Sequence, residues 1–284
     1  MDIYQEITNR IITELENGKI PWRCSWRPPE WRHRNLVSGK PYRGINAILL
    51  NNLPFDSPFW LTRRQIAKYK GEIKPDAQAT LVVFWKFFED ARDSNRIIPM
   101  LREYRIYNLE QTYGIPAKYI PVLPPRQMLE FCPIENAEAI LAGYVNRPPV
   151  IHEGDSASYS PLLDRIKMPP RILFDCPEEY YSTRFHEEIH STGHQSRLKR
   201  FESGSTTFGS EVYSKEELIA EIGAAFLCAQ SGIENVTIQN SGAYIRSWLE
   251  RLKNDKKLVV QAAQKAQKAA DYILRPNQIQ KQAA

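Results

Sequence analysis

The 284-residue sequence predicts an α+β chain, with a mixed α/β half followed by a mostly helical half. Three observations carry this. Residues 79–88 and 98–109 are β-branched and aromatic runs that read as the two strands of an antiparallel hairpin. Beyond residue 133, apolar residues recur mostly at helical spacing. Between these regions, residues 115–133 hold five prolines and read as a linker. The expected domains are therefore residues 1–125 and 126–284.

Each element has a local reason. Ile3, Ile7, Ile11 and Leu15 recur every fourth residue, Asp2 stands where a cap belongs, and Gly18 ends the run, so the chain opens on a helix. Prolines stiffen the loop over residues 19–29, and Ser38-Gly39-Lys40-Pro41 reads as a turn. Thr62 is the expected cap of a helix reaching Lys70. The charged residues 89–96 are expected to connect the hairpin strands. After the linker come a helix over residues 134–144 and two short strands, Val150-Ile151-His152 and residues 171–174, flanking Asp155-Ser156-Ala157-Ser158-Tyr159. The remainder reads as helical and ends in the Ala- and Lys-rich residues 256–274, whose lysines fit a solvated face.

Hydrophobic residues make up 42% and charged residues 25%, a soluble globular composition that excludes a disordered, collagenous or membrane chain. No apolar run approaches the ~20 residues needed to span a bilayer. The N-terminus lacks a basic start followed by an apolar core, so no secretory signal is expected. The four cysteines are far apart and form no CxxC, which fits reduced thiols in the cytoplasm. Charge is uneven: residues 1–130 hold 20 Lys plus Arg against 14 Asp plus Glu, whereas residues 131–284 hold 18 against 19. Trp22, Trp26, Trp31, Trp60 and Trp85 also fall in the first part. A basic, aromatic half beside a neutral half fits two tasks on one chain.

His186-Glu187-Glu188-Ile189-His190 is an HExxH motif. On a helix, residues four apart share a face, so His186 and His190 can point at one ion. Glu187 follows the first ligand and is placed as general base for a water whose pKa the ion lowers from about 16 to about 7. The extended form HExxHxxGxxH has its glycine, Gly193, but needs a ligand where Ser196 stands, so that class is rejected. A later helix offers the third ligand instead. Glu217 and Glu221 are four apart beside the apolar Leu218, Ile222, Ala225 and Phe226. Glu217 is expected to be the ligand, and Glu221 to accept a hydrogen bond from a ligand imidazole. Ser214-x-x-Glu217 also matches a capping box; under that alternative Glu221 becomes the ligand. Tyr159, His152 and Tyr213 are oxyanion-stabilising candidates by residue type.

Single-strand binding needs cations for phosphates and exposed rings for bases. The first half interleaves both, in Trp22-Arg23, Trp26-Arg27, Trp31-Arg32, Tyr42-Arg43 and Trp85-Lys86. Arg63, Arg64 and Lys68 add charge. Trp60 and Trp85 are expected in the core. No zinc-finger, helix-turn-helix or RRM signature is present to read base sequence.

With these residues in place, the chain resembles the ArdC-type antirestriction proteins and the N-terminal part of plasmid transfer primases. In the first half the resemblance rests on Gly18-Lys19-Ile20-Pro21-Trp22, Ser38 through Asn46, and Val83-Phe84-Trp85-Lys86. In the second it rests on Tyr159-Ser160-Pro161, Asp164 through Pro169, Phe185 through His194, Arg197-Leu198, Phe208-Gly209-Ser210 and residues 213–227. It implies an N-terminal single-stranded-DNA-binding domain, a C-terminal zincin-like metallopeptidase domain, and protection of incoming plasmid DNA from host restriction. The expected nucleic-acid contacts are Trp22, Arg23, Trp26, Tyr42, Arg43, Asn46 and Lys86. The expected cofactor is a divalent metal, zinc first and manganese second. The expected partners are single-stranded DNA and a host protein substrate, with no membrane. The alternative is a non-catalytic shield over single strands whose metal is structural. Ser191 replaces a bulky aromatic common in the family and is expected to alter the cleft wall.

Overall fold

A computed structural model describes residues 2–22, 31–90, 93–124, 133–201, 211–233 and 241–274. The chain divides into two compact units: Met1–Ile7 with Pro29–Gln127, and Thr8–Pro28 with Met128–Ala284. The opening helix α1 (Ile3–Glu16) buries the stripe Ile7, Ile11 and Leu15. Gly18 closes it at a φ of 75°, a left-handed conformation that glycine adopts without steric cost.

In the first unit, β1 (Arg34–Asn35) leads to the short helix α2 (Ile45–Asn51), and β2 (Phe59–Thr62) runs into α3 (Arg63–Lys68). Thr62 caps α3, with Gln65 returning the bond in a reciprocal capping box. After β3 (Glu72–Ile73) come the long hairpin strands β4 (Thr80–Asp90) and β5 (Asp93–Asn108), then β6 (Thr112–Tyr113). The main sheet has the order β1-β2-β5-β4, and β3 pairs with β6. Part of the expected connection over residues 89–96 is ladder instead: Glu89 pairs with Ile97 and Asp90 with Asp93. The core gathers Tyr42, Leu50, Trp60, Val82 and Ile106, with Tyr104 packed against it.

In the second unit, α4 (Pro133–Gly143) precedes a three-stranded sheet of β7 (Val150–His152), β8 (Ser158–Ser160) and β9 (Arg165–Met168), ordered β7-β9-β8. Residues 171–173 form a 3-10 turn, not the expected strand. Pro169 and Pro170 lack the N–H groups a ladder needs. The helices are α5 (Pro177–Ser191), α6 (Glu211–Ser231), α7 (Ser241–Asn254) and α8 (Leu258–Leu274). Helix α8 buries Ala262, Ala263, Ala266, Ala269 and Ala270 and turns Lys265 and Lys268 to solvent. Among the described residues, no helix is long and apolar enough to cross a membrane.

Candidate metal centre

Helix α5 begins at Cys176 as N-cap, with Pro177 in its first turn. Its apolar side buries Tyr181, Phe185 and Ile189, which turns His186 and His190 toward α6. Close packing needs Gly223 on α6: a Cβ there would lie 2.8 Å from the Ile189 side chain. Helix α6 starts at Glu211, so Ser214 lies inside the helix and is no N-cap. Glu217 is therefore free of the capping box and turns to the histidines.

His186 Nε2 and His190 Nε2 are 3.1 Å apart. Glu217 places one carboxylate oxygen 3.4 Å from the first and the other 3.4 Å from the second. Donors about 2.0–2.1 Å from a tetrahedral ion stand about 3.3 Å from each other, so this triangle fits a divalent cation. Among the described residues, His186, His190 and Glu217 are the group with metal-ligating geometry. Their side chains keep 16%, 12% and 21% of their surface exposed.

A further carboxylate stands near the far nitrogen of each ring. Glu221 reaches His186 Nδ1 at 4.0 Å, and Glu216 reaches His190 Nδ1 at 3.6 Å. Arg200 clamps Glu216, its Nη2 donating to Oε1 at 2.5 Å and its Nε to Oε2 at 3.2 Å. The same guanidinium donates to the Ile189 carbonyl at 2.8 Å, tying this support to α5. Carboxylates behind ligand imidazoles fix ring orientation and raise donor basicity.

The charges are strongly coupled. Burial alone would lower both imidazoles. The Glu217 carboxylate reverses this for His186, and Glu216 with Glu217 hold His190 up at about 10. Burial would raise Glu217, but hydrogen bonds from His186 and His190 pull it well below the usual carboxylate range. Glu187, only 6% exposed, sits on the same turn, and its charge acts on both histidines.

The back of α5 is a buried polar network. Arg184 Nε donates to Glu188 Oε1 at 2.9 Å with both side chains buried. Ser191 is fully buried, donates to the Glu188 carbonyl at 2.8 Å, and lies 3.0 Å from the Tyr144 hydroxyl. It lines no cleft wall, contrary to expectation, because residue 191 faces inward. Tyr159 and His152 are engaged elsewhere. The Tyr159 hydroxyl donates to Asp164 at 2.7 Å, and His152 Nε2 is 3.0 Å from the Tyr180 hydroxyl. The side chain of Tyr213 lies outside the described residues.

Among the described residues, three of the expected nucleic-acid contacts are buried. Trp22 is completely buried, edge-on to Trp248 at 5.1 Å, so its ring has no face for a base. Asn46 is also buried. Its Nδ2 donates to the Val83 carbonyl at 2.7 Å and its Oδ1 accepts from the Val83 N–H at 2.8 Å, docking α2 on the edge strand β4. Its amide is thus consumed by the fold. Tyr42 is 9% exposed, whereas Arg43 and Lys86 are exposed. Arg23 and Trp26 lie outside the described residues.

Sequence reasoning missed Glu216 and Arg200. The signal for the first was the run Glu216-Glu217-x-x-x-Glu221, which surrounds a ligand with carboxylates on a single helix. Arg200 had no local signal, because it reaches Glu216 from a separate turn.

Comparison with known proteins agrees with this architecture. Residues 1–112 match the N-terminal domain of anti-restriction factor ArdC, and residues 135–265 match a zincin-like metallopeptidase domain. The metal-free crystal structure of antirestriction ArdC protein from the R388 plasmid is 34% identical, with a TM-score of 0.72 over 96% of this chain and 97% of that one. Its Mn(II)-bound structure is 35% identical, with a TM-score of 0.75 over the same 96% and 97%. A DNA primase TraC of Escherichia coli is 33% identical over 95% of this chain, but this chain spans only 20% of that relative. A second TraC primase of Escherichia coli is 33% identical, and the chain spans 28% of it. The uncharacterized protein y4eC of Sinorhizobium fredii is 32% identical and is matched over 91% of its length. With two domain matches in order and near-complete coverage of a solved relative, the chain belongs to the ArdC antirestriction family.

Proposed function

We propose that this protein guards incoming plasmid DNA from restriction by binding single strands through its first domain, residues 1–125, while residues 126–284 act as a metal-dependent peptidase on a host protein. The observation that carries the second half is the triangle of His186, His190 and Glu217 with donor separations of 3.1–3.4 Å. The N, N, O donor set suits zinc, with manganese as the alternative. When bound, the ion acidifies water and polarises a carbonyl. The protein's own residues do the rest. Glu187 takes the proton of the attacking water and passes it to the leaving amine. Glu221 and Glu216 keep the two imidazoles aimed.

The single-strand half is supported by the match of residues 1–112 to the ArdC N-terminal domain and by the basic, aromatic composition of that region. Arg43 and Lys86 are exposed contacts there, and Arg23 and Trp26 are proposed from the sequence. The reading places the protein in the cytoplasm, where free thiols such as Cys176 and Cys228 persist.

One observation favours a second reading. The triangle draws its ligands from both α5 and α6, so an ion there also staples two helices together. The protein would then be a shield without turnover. Glu187→Gln separates the readings in cells challenged with restriction. Loss of protection with DNA binding and metal content intact supports the peptidase; full protection supports the shield.

A further inference from the structure

The hairpin of the first unit carries an unassigned surface. Across β4 and β5, Phe84 stands opposite Arg102 and Lys86 stands opposite Met100. Residues directly opposite in a ladder share a face, and so do residues two apart along a strand. The four side chains therefore form a square in which the apolar pair and the cationic pair occupy opposite diagonals. Phe84 is 44% exposed and Met100 47% exposed. Lys86 and Arg102 are exposed as well. Trp85 belongs to the opposite face, so the adjacent pair Trp85-Lys86 is not a unit.

The square is anchored from within. Phe84 packs edge-on against Tyr104 at 5.6 Å and tilted against Tyr42 at 6.2 Å. Tyr42 belongs to the core cluster around Trp60 and Val82, and Tyr104 packs against that cluster. Phe84 is thus held on its inner side while part of its surface stays in water, and presenting it to a ligand costs little conformational entropy. Among the described positions of this face (Thr80, Val82, Phe84, Lys86, Met100, Arg102, Tyr104 and Ile106), none is acidic.

From this juxtaposition we propose that Phe84, Met100, Lys86 and Arg102 form a stacking platform for unpaired bases of single-stranded nucleic acid. The ring and thioether take a base face, and the two cations take the phosphates on either side. Charge complementarity and the ring-plus-cation pattern select this ligand: stacking tolerates any base, and the cations supply the backbone attraction. The inference rests on the single-strand reading above and assigns the residues that perform it.

The test uses the full chain and fluorescently labelled oligo(dT), oligo(U) and a duplex of equal length. Phe84→Ala is expected to weaken single-strand binding roughly 5- to 150-fold, the range for losing one stacked base. Phe84→Trp is expected to restore it, which a merely misfolded hairpin would not allow. Lys86→Gln and Arg102→Gln are each expected to lessen the log–log salt slope by about 0.7, the share of one phosphate on a single strand. The oligo(dT) and oligo(U) arms show whether DNA or RNA is the tighter ligand of the platform. Wild-type binding to single strands with no loss in Phe84→Ala overturns the platform and leaves the single-strand reading standing. An equal loss on the duplex also overturns it, because duplex bases offer no free face. Absence of any single-strand binding by the wild type overturns both.

Discussion

The α5–α6 centre and the β4–β5 hairpin carry their chemistry in different ways. In the helical pair, three candidate ligands converge because each lies on a fixed helical face. His186 and His190 are one turn apart, and Glu217 comes from a helix held close by Gly223. In the hairpin, neighbours in sequence point apart, and the candidate ligand-binding square is assembled across two strands. Adjacent aromatic and basic residues mark a surface only where the backbone does not alternate.

The sharpest test of this contrast removes one atom's function from the helical centre. Glu187→Gln is expected to lower proteolysis by about 10²–10⁴-fold, the usual share of a positioned general base, with metal content unchanged in elemental analysis. Equal turnover by both proteins sinks the catalytic assignment. Next in size, Glu216→Gln leaves His190 Nδ1 without its carboxylate and removes the charge that Arg200 pairs with. Metal affinity measured by calorimetry is expected to fall about 10–100-fold. Gly223→Ala should weaken metal binding in the same direction, because the added methyl pushes against Ile189 and shifts Glu217 away from the rings.

In the hairpin, Asn46→Ala strips the partners from both Val83 backbone groups. Stability by denaturant unfolding is expected to drop by about 1–3 kcal/mol. A variant that keeps its stability but loses DNA affinity would restore Asn46 as a direct contact.

The smallest effect is one of pH, in protein stripped of metal with a chelator. His190 is raised, so its pairing with Glu216 and Glu217 contributes fully below the ordinary imidazole value of 6.5 and is lost as pH rises through about 10. Glu217 is lowered, so the same pairing contributes fully above its ordinary 4.5 and fades as pH falls well below that value. Thermal unfolding of the stripped protein should therefore be most resistant, for this pair, between the two ordinary values. Metal affinity should rise with pH as protons leave the rings. A melting temperature of the stripped Glu217→Gln protein that tracks wild type across that range contradicts the coupling.

The sequence revealed most where the periodicity is short. The α1 stripe, the Thr62 cap and the HExxH face each lie within a few turns of chain, and the structure forms all three. Glu217 is the expected ligand with Glu221 as the alternative, and the start of α6 at Glu211 takes Ser214 out of the capping position on which that alternative rests. The β8 and β9 strands escaped notice because Ser158–Ser160 is short and polar and Arg165–Met168, although it alternates, is only four residues long. Trp22 looked like a surface ring in a proline-bounded loop. Its burial depends on Trp248, more than two hundred residues away, and no local pattern reports that.

The central claim is that one divalent cation is gripped by His186, His190 and Glu217. Anomalous diffraction at the metal edge from crystals of the metal-loaded protein tests it directly. The account predicts a single peak bonded to both Nε2 atoms and to the Glu217 carboxylate, with Glu221 and Glu216 behind the rings. A peak ligated by Glu221 in place of Glu217, or no peak between the two imidazoles, contradicts it.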